Sequence, residues 1–392
     1  MRYLIVTHSD FDALHGQNIR CTYLIRALLK RNHEVHLVVS KNANHKNIRD
    51  FCGDKVKIHE LFISTPRFGK LKILKYLIFI LLSSYFLRKI LNMSKPDVIY
   101  TSSFLTAYPM IKIKGGLRFV FDVYDLYYEV FSKKTGLGEG SFIVEFLKKM
   151  EVESIKRADK IVTVSNSFKN LLAENFNIDP KKIVVVYEGV DTSLFTPMKK
   201  NDGLIAKYGL DSKTVITFIG GIEKHDNLDI LVDIANKIGK SAIFLIVGSG
   251  TYLSALKKKV RREGLSNRFR FTGWVKYNYV AKYLSISDIC LILLPPLLSS
   301  KGILSTKFYE YLATKKAVVV PDYECFREIV ENKVNGMFFK PGNTHSLVSA
   351  INYLVRNKTL RDNLAINGYQ TVRKRFDITR KSIELAKACE GE

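Results

Sequence analysis

Cysteine is scarce and scattered. The five cysteines, Cys21, Cys52, Cys290, Cys325 and Cys389, are odd in number and form no Cys-x-x-Cys pair. That distribution argues against a zinc cluster and a disulfide framework, and fits a reducing cytosol. Acid is short as well: 37 Asp and Glu against 62 Lys and Arg leave a net charge of +25. Such a surplus favours anionic partners, whether nucleic acid, an acidic membrane surface or phosphorylated substrates, and does not choose among them. No uninterrupted apolar run reaches the ~20 residues that cross a bilayer. The opening residues 1–7 enter a strand-like run, with too little apolar sequence for a signal peptide and no small-residue cleavage site. No repeat of solenoid period is present.

What is there reads as a globular chain of more than one core. Its 392 residues point to two domains. A hydrophobic content of 47% with 25% charged residues excludes a disordered chain. Residues 3–7 form a buried-strand candidate. A polar loop containing Gly16 follows, then a helical face of Cys21, Leu24, Ile25, Leu28 and Leu29, then a strand at 35–39. In this βαβ unit Gly16 falls at the strand's carboxyl end, where a glycine admits a ligand to the backbone and a helix N-terminus meets anions. The loop is no Gly-x-Gly-x-x-Gly fingerprint, and a plain turn is the simpler reading. Strands at 98–101, 119–126, 161–165 and 183–187 continue the alternation, with Asp125 near a carboxyl end. After residue 198 the theme restarts. Strands at 215–218 and 242–247 run into Gly220-Gly221 and Gly248-Ser249-Gly250, and 268–272 leads into Gly273-Trp274-Val275. The chain therefore reads as α/β, with two Rossmann-like doubly wound domains facing a cleft. Residues 1–197 and 198–375 form the domains, and a C-terminal helix at 376–392 is placed to cross back to the first.

Residues 70–91 are apolar in the middle and cationic on both flanks. Two readings stand side by side: a helix lying in the membrane interface with Lys and Arg on lipid phosphates, or a core helix with a charged rim. Both hold if one face is buried and the other wets the membrane.

Residues 304–321 combine a helix and a strand. Ser305 or Thr306 is suited to cap a helix, and Phe308, Tyr311 and Leu312 make its apolar face. Lys307 and Glu310, three apart, project together on another face. Residues 317–320 read as a strand buried on both sides, stopped by Pro321. Alone, Lys307 and Glu310 read first as a surface ion pair of little energetic weight. In context, the helix N-terminus suits an anion, and a carboxylate one turn in suits paired sugar hydroxyls.

These landmarks resemble the retaining family 4 glycosyltransferases, which have the two-Rossmann GT-B fold. The similarity runs over nearly the whole chain. Gly16-Gln17-Asn18-Ile19-Arg20, Lys95-Pro96-Asp97-Val98-Ile99-Tyr100 and Ala158-Asp159-Lys160-Ile161-Val162-Thr163-Val164-Ser165 resemble first-domain motifs. Glu188-Gly189-Val190-Asp191 resembles the interdomain Asn-Gly-Val-Asp motif, with Glu188 replacing Asn. Ile246-Val247-Gly248-Ser249-Gly250, Phe271-Thr272-Gly273-Trp274-Val275 and Ser305-Thr306-Lys307-Phe308-Tyr309-Glu310 resemble the second domain. The resemblance implies a hexosyltransferase-type enzyme that moves a sugar from a nucleotide-diphosphate donor with retention of configuration. Glu310 would hold the ribose, and the backbone at Trp274-Val275 and the Gly248 turn would lie against the nucleoside. Lys307, the Gly16 loop with Arg20, and Gly220-Gly221 would meet the diphosphate. Asp125, Lys307 and Glu310 are the catalytic candidates, and no metal or other cofactor is expected.

Three departures from the pattern stand out. Gly302 occupies the place of a first glutamate seven residues before Glu310. Gly221 replaces an Arg, and Lys224, Lys301 and Lys307 are the candidates to supply its charge. Tyr124-Asp125 replaces a His–Asp pair, as in a branch that lacks the His. The leading expectation is a cytoplasmic, peripherally membrane-associated transferase that acts on a lipid-linked or surface-glycan acceptor. The alternatives are a nucleotide-sugar epimerase on the same fold and, ranked below it, a basic nucleic-acid binder. The last lacks a module motif and a zinc signature, so nucleic acid is not an expected partner.

Overall fold

A computed structural model describes residues 1–7, 17–40, 49, 50, 52–61, 72–294 and 297–391. The chain forms two compact units, Met1–Tyr187 with Ile378–Glu392, and Glu188–Asp377. The domain boundary drawn from sequence, 197/198, lies ten residues beyond that division.

Unit 1 is built on a seven-stranded parallel sheet. Its strands are β1 (Arg2–Val6), β2 (Glu34–Val39), β3 (Val56–Glu60), β4 (Val98–Thr101), β5 (Arg118–Asp122), β6 (Lys160–Thr163) and β7 (Ile183–Val185). They lie in the order 3-2-1-4-5-6-7. The order reverses between β1 and β4, the place where doubly wound sheets open a crevice at their carboxyl ends. Tyr3, Ile5, Val98, Tyr100 and Val120 are all buried, because helices cover both faces of a parallel sheet and central strands become continuous apolar runs. β5 ends at Asp122, short of the strand expected to 126. Val123 N–H still donates to the Val162 carbonyl at 2.8 Å, and the chain then turns into helix Tyr127–Thr135. The final helix, Ile378–Glu390, packs along helix Gln17–Lys30. Arg31 Nε donates to Glu390 at 2.7 Å, and Arg118 donates to the Glu390 carbonyl at 3.0 Å. Arg31 and His33 hold the Glu390 carboxyl below its usual range.

Unit 2 is a six-stranded parallel sheet in the order 10-9-8-11-12-13. Its strands are β8 (Thr214–Ile219), β9 (Ala242–Val247), β10 (Phe269–Gly273), β11 (Ile289–Leu291), β12 (Ala317–Pro321) and β13 (Met337–Phe339). Phe244 and Phe269 stack at 4.9 Å in its core. Glu188-Gly189-Val190-Asp191 closes this unit. Val190 N–H donates to the Phe376 carbonyl at 2.9 Å and Thr192 donates to Asp377 at 2.9 Å, tying the unit's first residues to its last. That clasp is why the division falls at residue 188. Strand β12 runs through Pro321, which lies in register with Phe339 of β13, so the proline marks the strand's last residue rather than the one after it.

Candidate active site

The carboxyl ends of β8, β9 and β10 are laced together by backbone hydrogen bonds. Gly220 N–H donates to Val247 at 3.0 Å, Ile222 N–H to Ser249 at 3.1 Å, and Gly248 N–H to Gly273 at 3.0 Å. This closeness requires glycine. Gly220 has φ +150° and Gly248 φ +137°, and a Cβ at Gly248 would lie 1.9 Å from the Gly220 carbonyl oxygen.

Helix Thr306–Ala313 meets this floor. Phe308, Tyr309, Tyr311 and Leu312 are all buried, one more than the expected face, because the helix is covered on Tyr309's side by Phe376. Ile219 N–H donates to the Tyr311 hydroxyl oxygen at 3.0 Å, which fixes the helix to the end of β8. Ser305 stands at the N-cap, but its hydroxyl makes no cap hydrogen bond. Thr306 lies inside the helix as its first residue, so the expected capping by Ser305 or Thr306 is not made.

Lys307 projects from that turn over the β8 glycine. Its Nζ sits 4.6 Å above the Phe218 ring, and a Cβ on Gly220 would come within 2.8 Å of it. Burial lowers the ammonium pKa from its usual value, against the pull of Asp226 and Glu310. One turn on, Glu310 is 5% exposed and accepts a hydrogen bond from the Tyr277 hydroxyl at 2.8 Å. Burial pushes its carboxyl up to about 7, opposed by Tyr277 and Lys307. So the two residues are not a solvent-facing pair. They are a half-buried cation over a glycine turn and a buried acid that accepts from the Tyr277 hydroxyl.

Of the three lysines weighed for the missing arginine, Lys307 is the one brought to Gly220. Lys224 is exposed in the turn Lys224–Asp226, and Lys301 is exposed in the turn Ser299–Lys301. Gly221 has nothing within 4 Å of a notional Cβ. Trp274 is 66% exposed beside the half-buried Val275 on the β10 loop. Sequence reading missed Tyr277. Its ring packs edge-on against buried Phe195 at 5.2 Å, so the residue that orients Glu310 is itself braced by the start of the unit.

In unit 1, Gly16 lies outside the described residues. Arg20 is buried. Its Nε donates to Asp122 at 2.9 Å, and its Nη1 to the Tyr187 carbonyl at 3.2 Å. Tyr100 donates to the same carboxylate at 2.5 Å. Asp125 sits in the loop after β5, its carboxyl raised by burial and by Glu129 and eased by Lys134. Behind it Glu151, unremarked in the sequence, accepts the N–H groups of Tyr127 at 2.8 Å and Tyr128 at 3.0 Å. It therefore fixes the start of the helix that follows Asp125. Burial pushes the Glu151 carboxyl up to about 8. Among the described residues no group of three or more His, Cys, Asp or Glu is arranged to hold a metal ion.

Residues 14–194 match the family model described as Glycosyltransferase Family 4, and residues 202–371 match that described as Glycosyl transferases group 1. An uncharacterized glycosyltransferase of Methanocaldococcus jannaschii is 26% identical over 240 residues, 60% of this chain and 59% of its own length. The chain thus matches less than two thirds of that relative. The UDP-Gal:alpha-D-GlcNAc-diphosphoundecaprenol alpha-1,3-galactosyltransferase of Escherichia coli is 23% identical over 305 residues, 74% of this chain and 75% of that one. Sucrose-phosphate synthase from Thermosynechococcus elongatus superposes with a TM-score of 0.82 at 15% identity, covering 100% of this chain and 98% of the other. Anabaena HepE in complex with UDP and glucose superposes with a TM-score of 0.76 at 17% identity, covering 100% of both chains. These superpositions establish the fold, two Rossmann-like parallel-sheet domains as in GT-B enzymes.

Proposed function

We propose, on the premise that this chain belongs to the glycosyltransferases of GT-B fold, that it moves a hexose from a nucleotide-diphosphate sugar to a lipid-linked or glycan acceptor with retention of configuration. The observation that carries this reading is the placement of Lys307 Nζ over the Gly220 turn, with buried Glu310 one helical turn away. Breaking the bond between the anomeric carbon and the diphosphate leaves negative charge on a phosphate oxygen. A half-buried ammonium and the N-terminus of its helix stabilise that charge more than they stabilise the bound donor, which is what lowers the barrier. The ionised Glu310 accepts two hydrogen bonds from a ribose diol and fixes the nucleoside. The β10 loop at Trp274-Val275 supports the base. Within unit 1, Asp125 is the carboxylate proposed for the acceptor side of the reaction. For retention, the acceptor oxygen bonds to the anomeric carbon on the face from which the nucleoside diphosphate leaves, and the acceptor's proton passes to the departing phosphate oxygen. The galactosyltransferase relative's diphosphoundecaprenol acceptor supports a lipid-linked acceptor for this chain, and HepE's complex supports a uridine donor.

A thermal-shift screen of nucleotide sugars, run in EDTA, tests the reading. One donor is expected to raise the midpoint, since a ligand at about 100 times its Kd adds roughly 2.7 kcal/mol to the native state. Chelation is expected to leave that shift and the subsequent turnover with a polyprenyl-diphosphate acceptor unchanged. No shift with any donor would reject the reading. Donor conversion without acceptor would favour the epimerase.

A further inference from the structure

We propose that unit 1 docks on an anionic membrane surface through the outer face of helix Lys72–Ser94, with the helix lying along the interface. Ile78, Leu81, Leu82 and Tyr85 are exposed at positions i, i+3, i+4 and i+7, a single stripe. Leu81 and Tyr85 are 71% and 72% exposed, while Phe79, Ile80, Leu87 and Ile90 are buried. From Ile78 onward the helix is therefore a core element on one side and, among the described residues, a bare apolar surface on the other. Its sequence contains no Asp or Glu, and Arg88 and Lys89 are exposed one turn beyond the stripe. Apolar side chains beside cations, without acid, match acyl chains beneath lipid phosphates.

A second protrusion of the same helical layer has the same chemistry. Helix Phe142–Lys156 begins with Phe142, 84% exposed and stacked on Phe146 at 6.4 Å. Lys148, Lys149 and Lys156 line the adjoining groove. Helix Phe104–Ile113 packs against both outer helices, placing them in one layer. No described helix is long and apolar enough to cross a membrane. A second copy of the chain is a poorer occupant, because the same helix on that copy would bring cations and no acid to meet Arg88 and Lys89.

Vesicle flotation of the full chain, without donor, tests this independently of the transfer reading. The protein is expected to float with phosphatidylcholine vesicles containing phosphatidylglycerol, not with phosphatidylcholine alone, and to be released by salt. Arg88→Gln with Lys89→Gln is expected to weaken partitioning at low salt by about fivefold per cation. Leu81→Ser with Tyr85→Ser is expected to weaken it at least tenfold, by an estimate of about 25 cal/mol per Å² of apolar surface. Should either pair misfold, Phe142→Ser reads the second contact at a freely exposed position. Equal recovery with both vesicle types, or wild-type partitioning of the folded variants, would overturn the proposal. So would a Leu81→Ser/Tyr85→Ser variant that loses a dimer in light scattering but keeps its vesicle binding.

Discussion

Lys307→Ala is expected to lower kcat by about 10²–10³, the loss found when one preorganised stabiliser of developing negative charge is removed. Donor Kd should change far less. In the ground state the diphosphate carries charge that water and backbone N–H groups also solvate, whereas the leaving oxygen gains charge only as the bond breaks. The ammonium is held by packing over Phe218 and by the absence of a side chain at Gly220, and neither depends on ligand. Lys307→Arg should not restore the rate, because the wider guanidinium does not fit where a notional Gly220 Cβ already comes within 2.8 Å of Nζ. Single-turnover kinetics at saturating donor read the chemical step. An unchanged rate in the folded Lys307→Ala variant would move the role to Lys224 or Lys301.

Gly248→Ala carries the largest expected effect on stability. A Cβ there meets the Gly220 carbonyl oxygen at 1.9 Å, and φ of +137° is foreign to alanine. The turns after β8 and β9 must separate, breaking the lacing at Gly220 and Ile222. We expect a loss on the order of 3–5 kcal/mol, the range of severe backbone strain and broken buried contacts. That is a large part of a typical native stability of about 5–15 kcal/mol. Gly221→Ala is the control: with open space and no positive φ, it should shift stability by no more than about 0.5 kcal/mol. The chain's single tryptophan, Trp274, lies in unit 2, so denaturant melts followed by its fluorescence report on this unit. Equal midpoints for the two variants would contradict the close approach.

The sequence made legible those features that rest on local pattern. Alternating strand and helix periodicity placed both sheets, because a parallel sheet covered on both faces leaves runs such as residues 317–320 with no alternative environment. Lys307 and Glu310 could be read as neighbours because three-residue spacing fixes geometry on any helix. What depended on distant partners was invisible. Arg20 was placed at the donor by resemblance alone, and its hydrogen bond to Asp122, which lies 102 positions away, had no local signal. Tyr277 had no signal as the hydroxyl on Glu310, since 33 residues separate them. Glu151 was equally hidden, although it fixes the helix start behind Asp125. The apolar segment at 70–91 left two readings open because composition cannot show which face is covered; residues 70 and 71 lie outside the described residues, and from Ile78 onward one face is covered and one bare.

The most direct test of the donor site is calorimetric titration of the screened nucleotide sugar into wild type and Glu310→Gln between pH 6 and 8. With its carboxyl near 7, wild-type Glu310 goes from mostly protonated to mostly ionised across that window, and donor affinity should rise about tenfold. Glutamine offers one acceptor oxygen and no charge, so the variant should bind about 10–100-fold more weakly at pH 8, with a flat profile. The unliganded proteins should move oppositely. The folded carboxyl titrates above its ordinary value of 4.5, so the native state keeps a proton that the unfolded chain releases. Wild-type stability therefore falls as pH rises from 4.5 to about 7 and then levels, and Glu310→Gln escapes that loss. Weaker donor binding in a protein at least as stable at pH 8 is the predicted result. Wild-type affinity with an unaltered pH profile in folded Glu310→Gln would contradict it.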